Sequence, residues 1–179
     1  MRTTTNYHWR TNHRNGKMAS KMTNSSFGFA ASAYQGQLAG MAIPGLFQSL
    51  EQDMDMLLEN NVGAIATLTM EEWVNSTDTK DKFSYAHFPI PNLDAPTLDQ
   101  TIKFCEWVDR HLTSGINVVC HCFMGVGRTG TMIACYRVHH GEVSETAIWH
   151  VRNIRSAIET KEQEDAVSEY YEYLRKHKK

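Results

Sequence analysis

The chain has 179 residues, 41% hydrophobic and 21% charged, with a formal net charge of −2. That length suits one domain with a full hydrophobic core. No apolar run approaches the ~20 residues that a membrane-spanning helix needs, and the N-terminus lacks the apolar core of a secretory signal, so a cytoplasmic or nuclear location is expected.

The small net charge conceals an asymmetry. Arg2, Arg10, Arg14, Lys17 and Lys21 all precede the first acidic residue, Glu51, and the excess of acidic residues lies in the remainder. Residues 1–26 read as a basic tail ahead of a domain over 27–179. A solvated leader is the plain reading of this tail. Contact with an acidic partner, nucleic acid or anionic lipid is the alternative, and a basic, Ser/Thr-rich targeting peptide is another.

After a short extended lead-in over 37–42, closed by Pro44 and Gly45, residues 47–60 put Phe47, Leu50, Met54, Leu57 and Leu58 on one helical stripe. The apolar run 62–67 reads as a buried strand, and 83–90 as another, ended by Pro89 and Pro91. Thr97 and Gln100 make a capping box for a helix carrying Leu98, Ile102, Cys105, Val108 and Leu112, stopped near Gly115. Residues 116–120 read as a buried strand. Helices follow over 129–139, from Ser144 to about 155, and over 162–176. Strands alternating with helices predict an α/β domain with a mainly parallel central sheet flanked by helices.

The four cysteines, Cys105, Cys120, Cys122 and Cys135, do not form a disulfide framework in a chain this long. Cys105 and Cys135 fall on apolar stripes and read as inert core thiols. Cys120 reads as a buried strand residue, with a protective disulfide to Cys122 as the alternative. Cys120, His121 and Cys122 offer zinc ligands in a row, but structural zinc takes two ligand pairs and no second pair is visible. No metal or other cofactor is expected. His139 and His140 read as solvated residues at a helix end.

The informative segment is 118–131, VVCHCFMGVGRTGT. A buried strand runs into Cys122, five residues follow, and Arg128 opens a helix. Such a turn aims several backbone N–H groups into one concavity, and the helix N-terminus adds partial positive charge. Gly125, Gly127 and Gly130 allow tight backbone approach. Phe123, Met124, Gly125, Val126 and Gly127 would therefore wrap a phosphate, with Arg128 clamping two of its oxygens. The field that attracts phosphate also favours the thiolate of Cys122, aimed at phosphorus to form a phospho-cysteine.

His-Cys-x-x-Gly-x-x-Arg-Thr-Gly over 121–130 matches the signature of the protein tyrosine phosphatase superfamily. LAGMAIPG (38–45), the proline-containing loop at 89–96, GRTGTMIACY (127–136) and IETKEQEDAV (158–167) resemble the small atypical dual-specificity phosphatases. The resemblance covers about residues 37–175 and leaves out the tail. It implies that Cys122 is the nucleophile and Arg128 the phosphate clamp. It implies that Thr129 assists the second step through its hydroxyl, and that His121 tunes the thiolate through the loop's hydrogen bonds without acting as a base. Gln163 matches a water-holding position, or is an ordinary polar helix residue.

Two departures stand out. The family's general acid is an aspartate three or four residues before a proline, and relative to Pro96 those positions hold Leu93 and Asn92. Asp94, two residues before Pro96, is the candidate acid; a local side-chain turn is its alternative. Asp99 is poorer, because it falls in the first turn of a helix. The Pro-Gly pair that often follows the arginine matched by Arg155 is replaced by Ser156-Ala157, one residue shorter. Arg155 is expected to brace the phosphate loop, or else to be a solvated helix-end residue.

The expected substrate is a phosphorylated protein, bearing phosphotyrosine and also phosphoserine or phosphothreonine. Phe123, Met124 and Val126 stand where phosphoinositide phosphatases tend to carry lysines, which ranks phosphoinositides lower. An RNA 5′-phosphatase is a further alternative, given the basic tail. A catalytically weak phosphate-binding module is the alternative outside enzymes.

Overall fold

The computed structural model describes residues 28–30, 36–154 and 156–177. The basic tail and Arg155 lie outside the described residues. In chain order the elements are β1 (Gly28–Ala30), β2 (Leu38–Met41), α1 (Leu50–Glu59), β3 (Val62–Thr67), a single 3-10 turn (Lys80–Lys82), β4 (Ser84–His87), α2 (Leu98–Thr113), β5 (Asn117–His121), α3 (Gly127–His139), α4 (Ser144–Ile154) and α5 (Lys161–His177). The five strands form one sheet in the order β1-β2-β5-β3-β4. Only β1 is antiparallel to its neighbour; β2, β5, β3 and β4 run parallel. The expected α/β architecture with a mainly parallel sheet is the one observed.

Alternation along the strands divides the core in two. Val118, Cys120 and Cys122 face the larger side, with Phe104 and Val108 of α2, Met132 of α3, Ala147 of α4 and Tyr170 of α5. Val119 faces the other side, with Met54 and Leu57 of α1. The central helix α3 is buried from Gly127 through Tyr136 and again at Val138, so it is enclosed around most of its circumference, with Arg128, Thr129 and Thr131 as polar residues inside.

Four boundaries differ from expectation. The stripe over 47–60 does not begin at Phe47. Ser49 accepts from the Gln52 N–H at 3.2 Å and the Gln52 side chain accepts from the Ser49 N–H at 3.1 Å, so α1 opens at Leu50 and Phe47 is left outside and exposed. Strand β4 ends at His87, yet Phe88 and Ile90 still donate to the Thr67 and Leu68 carbonyls at 2.9 and 3.2 Å. The segment therefore stays extended beside β3 as far as Ile90. Strand β5 lies one residue later than expected, and α3 begins at Gly127 rather than 129. The Thr97–Gln100 capping box on α2 forms as expected.

Candidate active site

In a parallel sheet the carboxyl ends of the strands share one edge, and the crevice there is the usual ligand site. The chain leaves β5 at His121, so Cys122 stands at that edge beside the end of β2. The loop then turns into α3, whose N-cap residue Val126 offers no side-chain cap. The first amides of α3 therefore have an anion as their natural partner.

Backbone geometry sets the cradle. Gly125 has φ +68°, and a Cβ there would lie 2.3 Å from the Met41 carbonyl oxygen and 2.6 Å from the Ala42 nitrogen. Only glycine permits both the left-handed turn and that approach. Gly125 donates its N–H to the Cys122 Sγ at 3.2 Å. The floor beneath is itself pinned. Ile43 donates to the Phe123 carbonyl at 2.9 Å, and the buried carboxylate of Asp53 accepts from the Gly45 N–H and Gln48 Nε2, each at 2.7 Å. Phe123 and Met124 are about half exposed on the rim, and Val126 is partly buried.

Arg128 is buried, and loop 90–94 fixes its guanidinium. Nη1 donates to the Ile90 carbonyl at 2.9 Å and Nη2 to the Asn92 Oδ1 at 3.2 Å. Asn92, at the position where the resemblance expects an acid, instead holds the clamp. The loop is shaped by a turn in which Asp94 donates its N–H to the Pro91 carbonyl at 3.1 Å, with Leu93 at φ +64°. The Asp94 carboxylate is exposed and accepts from the Ala95 N–H at 2.8 Å. The carboxylate thus bonds the amide of the next residue in the chain. Asp94's backbone carbonyl meets the site, accepting from Gln163 Nε2 at 3.1 Å.

Gln163 is fully buried in the first turn of α5. Its Oε1 accepts from the Glu159 N–H at 2.8 Å. A Cβ on Gly127 would lie 3.1 Å from both amide heteroatoms, so the Gln163 amide sits directly over the start of α3. Thr129 is also fully buried, and its Oγ1 has no hydrogen-bond partner among the described residues. An unsatisfied buried hydroxyl in the first turn of α3 calls for an explanation.

His121 is enclosed. Its Nδ1 lies 3.3 Å from the Cys122 carbonyl oxygen and its Nε2 3.0 Å from the Thr67 hydroxyl. A carbonyl can only accept, so Nδ1 carries the proton and a neutral ring accepts from Thr67 through Nε2. Burial pushes the imidazole down to about 4, opposed by the bond to the Cys122 carbonyl and assisted by the Arg128 charge and the proximity of His87. The ring is therefore neutral at pH 7 and orients the loop's backbone. Burial also pushes the Cys135 thiol up to about 12, in keeping with an inert core residue. None of the four cysteines forms a disulfide.

The sequence reading passed over two supporting residues. One is Asn92, whose bond to Arg128 no spacing reveals. The other is Arg152, which grips the shortened connection before α5. Its Nη2 donates to the Ile158 carbonyl at 3.0 Å and to Glu164 Oε1 at 2.6 Å, and its Nε to the Ala157 carbonyl at 3.3 Å. Ile158 takes φ +61° in that connection, a conformation that is costly for a β-branched residue. Ala157 presses on Gly130, where an added Cβ would lie 2.6 Å from the Ala157 Cβ. The missing Pro-Gly pair is thus replaced by a strained turn held by an arginine.

This geometry is that of the cysteine-based tyrosine and dual-specificity phosphatases, and comparison with known proteins bears that out. Residues 39–142, more than half of the chain, match the family model described as "Polymorphic toxin system, DSP-PTPase phosphatase", and the chain belongs to that phosphatase family. It is 26% identical over 112 residues to tyrosine-protein phosphatase CDC14 of Candida albicans, covering 62% of this chain and 21% of that protein. It is 32% identical over 126 residues to phosphatidylglycerophosphate phosphatase PTPMT1 of Arabidopsis thaliana, covering 66% of this chain and 37% of that protein. These matches span about a fifth and a third of those relatives. Among solved structures, Tk-PTP in the active form superposes with a TM-score of 0.68 at 28% identity, covering 76% of this chain and 92% of that one. Among the described residues, no helix is long and apolar enough to cross a membrane.

Proposed function

We propose that this phosphatase hydrolyses phosphomonoesters on proteins, phosphotyrosine and also phosphoserine or phosphothreonine, through a phospho-cysteine on Cys122. The observation that carries the reading is the cradle: Cys122 Sγ receives the Gly125 amide at 3.2 Å, and the buried Arg128 is held ready by Ile90 and Asn92. The thiolate attacks phosphorus, the S–P bond forms and the P–O bond to the leaving alcohol breaks. Arg128 and the loop amides bind the equatorial oxygens in that transition state. Water, positioned by Gln163, then attacks the phospho-cysteine, releasing inorganic phosphate and the thiolate. The Thr129 hydroxyl donates to the departing sulfur.

Asp94 is the proposed proton donor to the leaving oxygen. Its backbone already meets Gln163, and rotation of the exposed side chain away from the Ala95 N–H would turn the carboxyl inward. The Asp94→Asn variant should lose the acid-dependent limb of the pH–rate profile. An unchanged profile removes Asp94 from the mechanism.

Phe123, Met124 and Val126 put no cation between Cys122 and Arg128, which favours a single phosphate over a polyphosphorylated headgroup. A second reading rests on the exposed apolar rim of Phe123, Met124 and Leu93 and on the likeness to a phosphatidylglycerophosphate phosphatase. It is hydrolysis of a monophosphate on a lipid. Rates on phosphotyrosine peptides, phosphothreonine peptides and vesicles bearing phosphatidylglycerophosphate separate the two. Peptide kcat/KM at least tenfold above the lipid value supports the protein reading, and the reverse order replaces it. The tail calls for its own test: removing residues 1–26 should leave peptide turnover unchanged, whereas a steep loss on 5′-phosphorylated RNA at low salt points to nucleic acid.

A further inference from the structure

At the end of α3 remote from Cys122, two histidines and one carboxylate converge. His139 ends α3, His140 is its C-cap, and Asp109 reaches them from α2. His140 Nε2 lies 3.0 Å from Asp109 Oδ1, and His139 Nε2 lies 3.2 Å from Asp109 Oδ2. One ligand atom from each of the three residues lies within 4.8 Å of the other two. We propose that Asp109, His139 and His140 form a zinc site, separate from the chemistry at Cys122.

Three observations carry this. The donor set is two imidazoles and one carboxylate, which is the zinc pattern of three protein ligands with one position left for water. Two ligands about 2.0–2.1 Å from an ion at a tetrahedral angle stand about 3.3–3.4 Å apart; each imidazole lies 3.0 or 3.2 Å from its own carboxylate oxygen, and the three ligand atoms fall within 4.8 Å, so a small inward shift of the side chains would close the set on an ion. The outer contacts also suit the role. The Tyr170 hydroxyl lies 2.5 Å from His139 Nδ1, which turns Nε2 toward the carboxylate, and Tyr136 donates its hydroxyl to Asp109 Oδ1 at 2.7 Å. Such partners orient metal ligands.

Asp109 and His139 are partly buried and His140 is exposed, so an ion there would be reachable from solvent. It would tie α2 to α3, with Tyr170 linking α5. The 13 residues of α3 place it about 20 Å from the phosphate cradle. An ion there would cross-link α2 and α3 away from the chemistry at Cys122, with its fourth position open to water.

The test uses zinc chloride as the only probe, on the full chain with Cys122→Ser so that the reactive thiol cannot bind the ion. Calorimetric titration should show one more equivalent of zinc for this chain than for the same chain carrying His140→Ala. Zinc should raise Tm by about 5 °C or more in the first and by far less in the second. Asp109→Asn, which keeps the shape of the side chain, should weaken the same site at least tenfold. Equal stoichiometry and affinity in all three chains, or no saturable uptake in any, overturns the proposal and leaves the cluster as ion pairs between helices.

Discussion

Replacing Gly125 by alanine tests whether the phosphate cradle is fixed by backbone contact. The residue has φ +68°, which costs an L-residue about 1–2 kcal/mol. The added Cβ would lie 2.3, 2.4 and 2.6 Å from the Met41 carbonyl oxygen, the Met41 carbonyl carbon and the Ala42 nitrogen. These are backbone atoms at the end of β2, paired to β5 and tied to the Phe123 carbonyl through Ile43. They cannot rotate aside, so the loop must move by about an ångström, and overpacking of this kind costs about 1–3 kcal/mol. The combined cost of about 2–5 kcal/mol corresponds to a Tm loss of roughly 5–20 °C. A displacement of about 1 Å at the reacting centre costs on the order of 100-fold in rate. Thermal unfolding and turnover of an aryl phosphate measure both. Gly127→Ala is the milder comparison: the exposed Glu159 carboxylate at 2.1 Å can swing away, and the added Cβ then meets only the buried Gln163 amide at 3.1 Å, so a smaller loss is expected. Gly125→Ala retaining activity within threefold of the parent, or Gly127→Ala failing as badly, would refute the reasoning.

Asn92→Ala removes one of two bonds holding Arg128. A loss of roughly 1 kcal/mol in phosphate binding is expected, seen as about a fivefold rise in KM with smaller change in kcat. Thr129→Val removes an unpartnered buried hydroxyl, so stability should hold or rise by up to about 2 kcal/mol in denaturant unfolding. Phospho-cysteine breakdown should slow about tenfold or more, visible as a larger burst. His121 is held neutral by burial, with its imidazole lowered to about 4 from 6.5. The unfolded chain binds this proton first, so stability present above pH 6.5 is lost as pH falls from there to about 4. The loss is about 3 kcal/mol, and chemical denaturation of His121→Asn across that window should lack it.

Much of this architecture was legible in sequence where the signal was local. The run 62–67 became β3 with the expected bounds, since an apolar, partly β-branched stretch has little else to do. Thr97 and Gln100 capped α2 because a capping box needs only residues three apart. Cys122, the three glycines and Arg128 stand in one loop and the first turn of α3 after it, so a linear motif contains their geometry. What depends on tertiary contact was hidden. Phe47 continues the stripe of α1, but the competing cap at Ser49 excludes it. The bond from Asn92 to Arg128 spans 36 residues. His139 and His140 read as solvated helix-end residues because nothing local showed that Asp109, some thirty positions earlier, turns toward them. Arg152 braces the α4–α5 connection through bonds that no local pattern marks, while Arg155, which the resemblance assigns to the phosphate loop, lies outside the described residues.

The central claim is that Cys122 carries the phosphoryl group. Mass spectrometry of the acid-quenched enzyme, trapped during turnover of an aryl phosphate, tests it directly. One phosphoryl group on the peptide containing Cys122, absent when Cys122→Ser is treated alike, is the expected result. A label on another residue, or turnover by Cys122→Ser equal to that of the parent chain, would contradict the account.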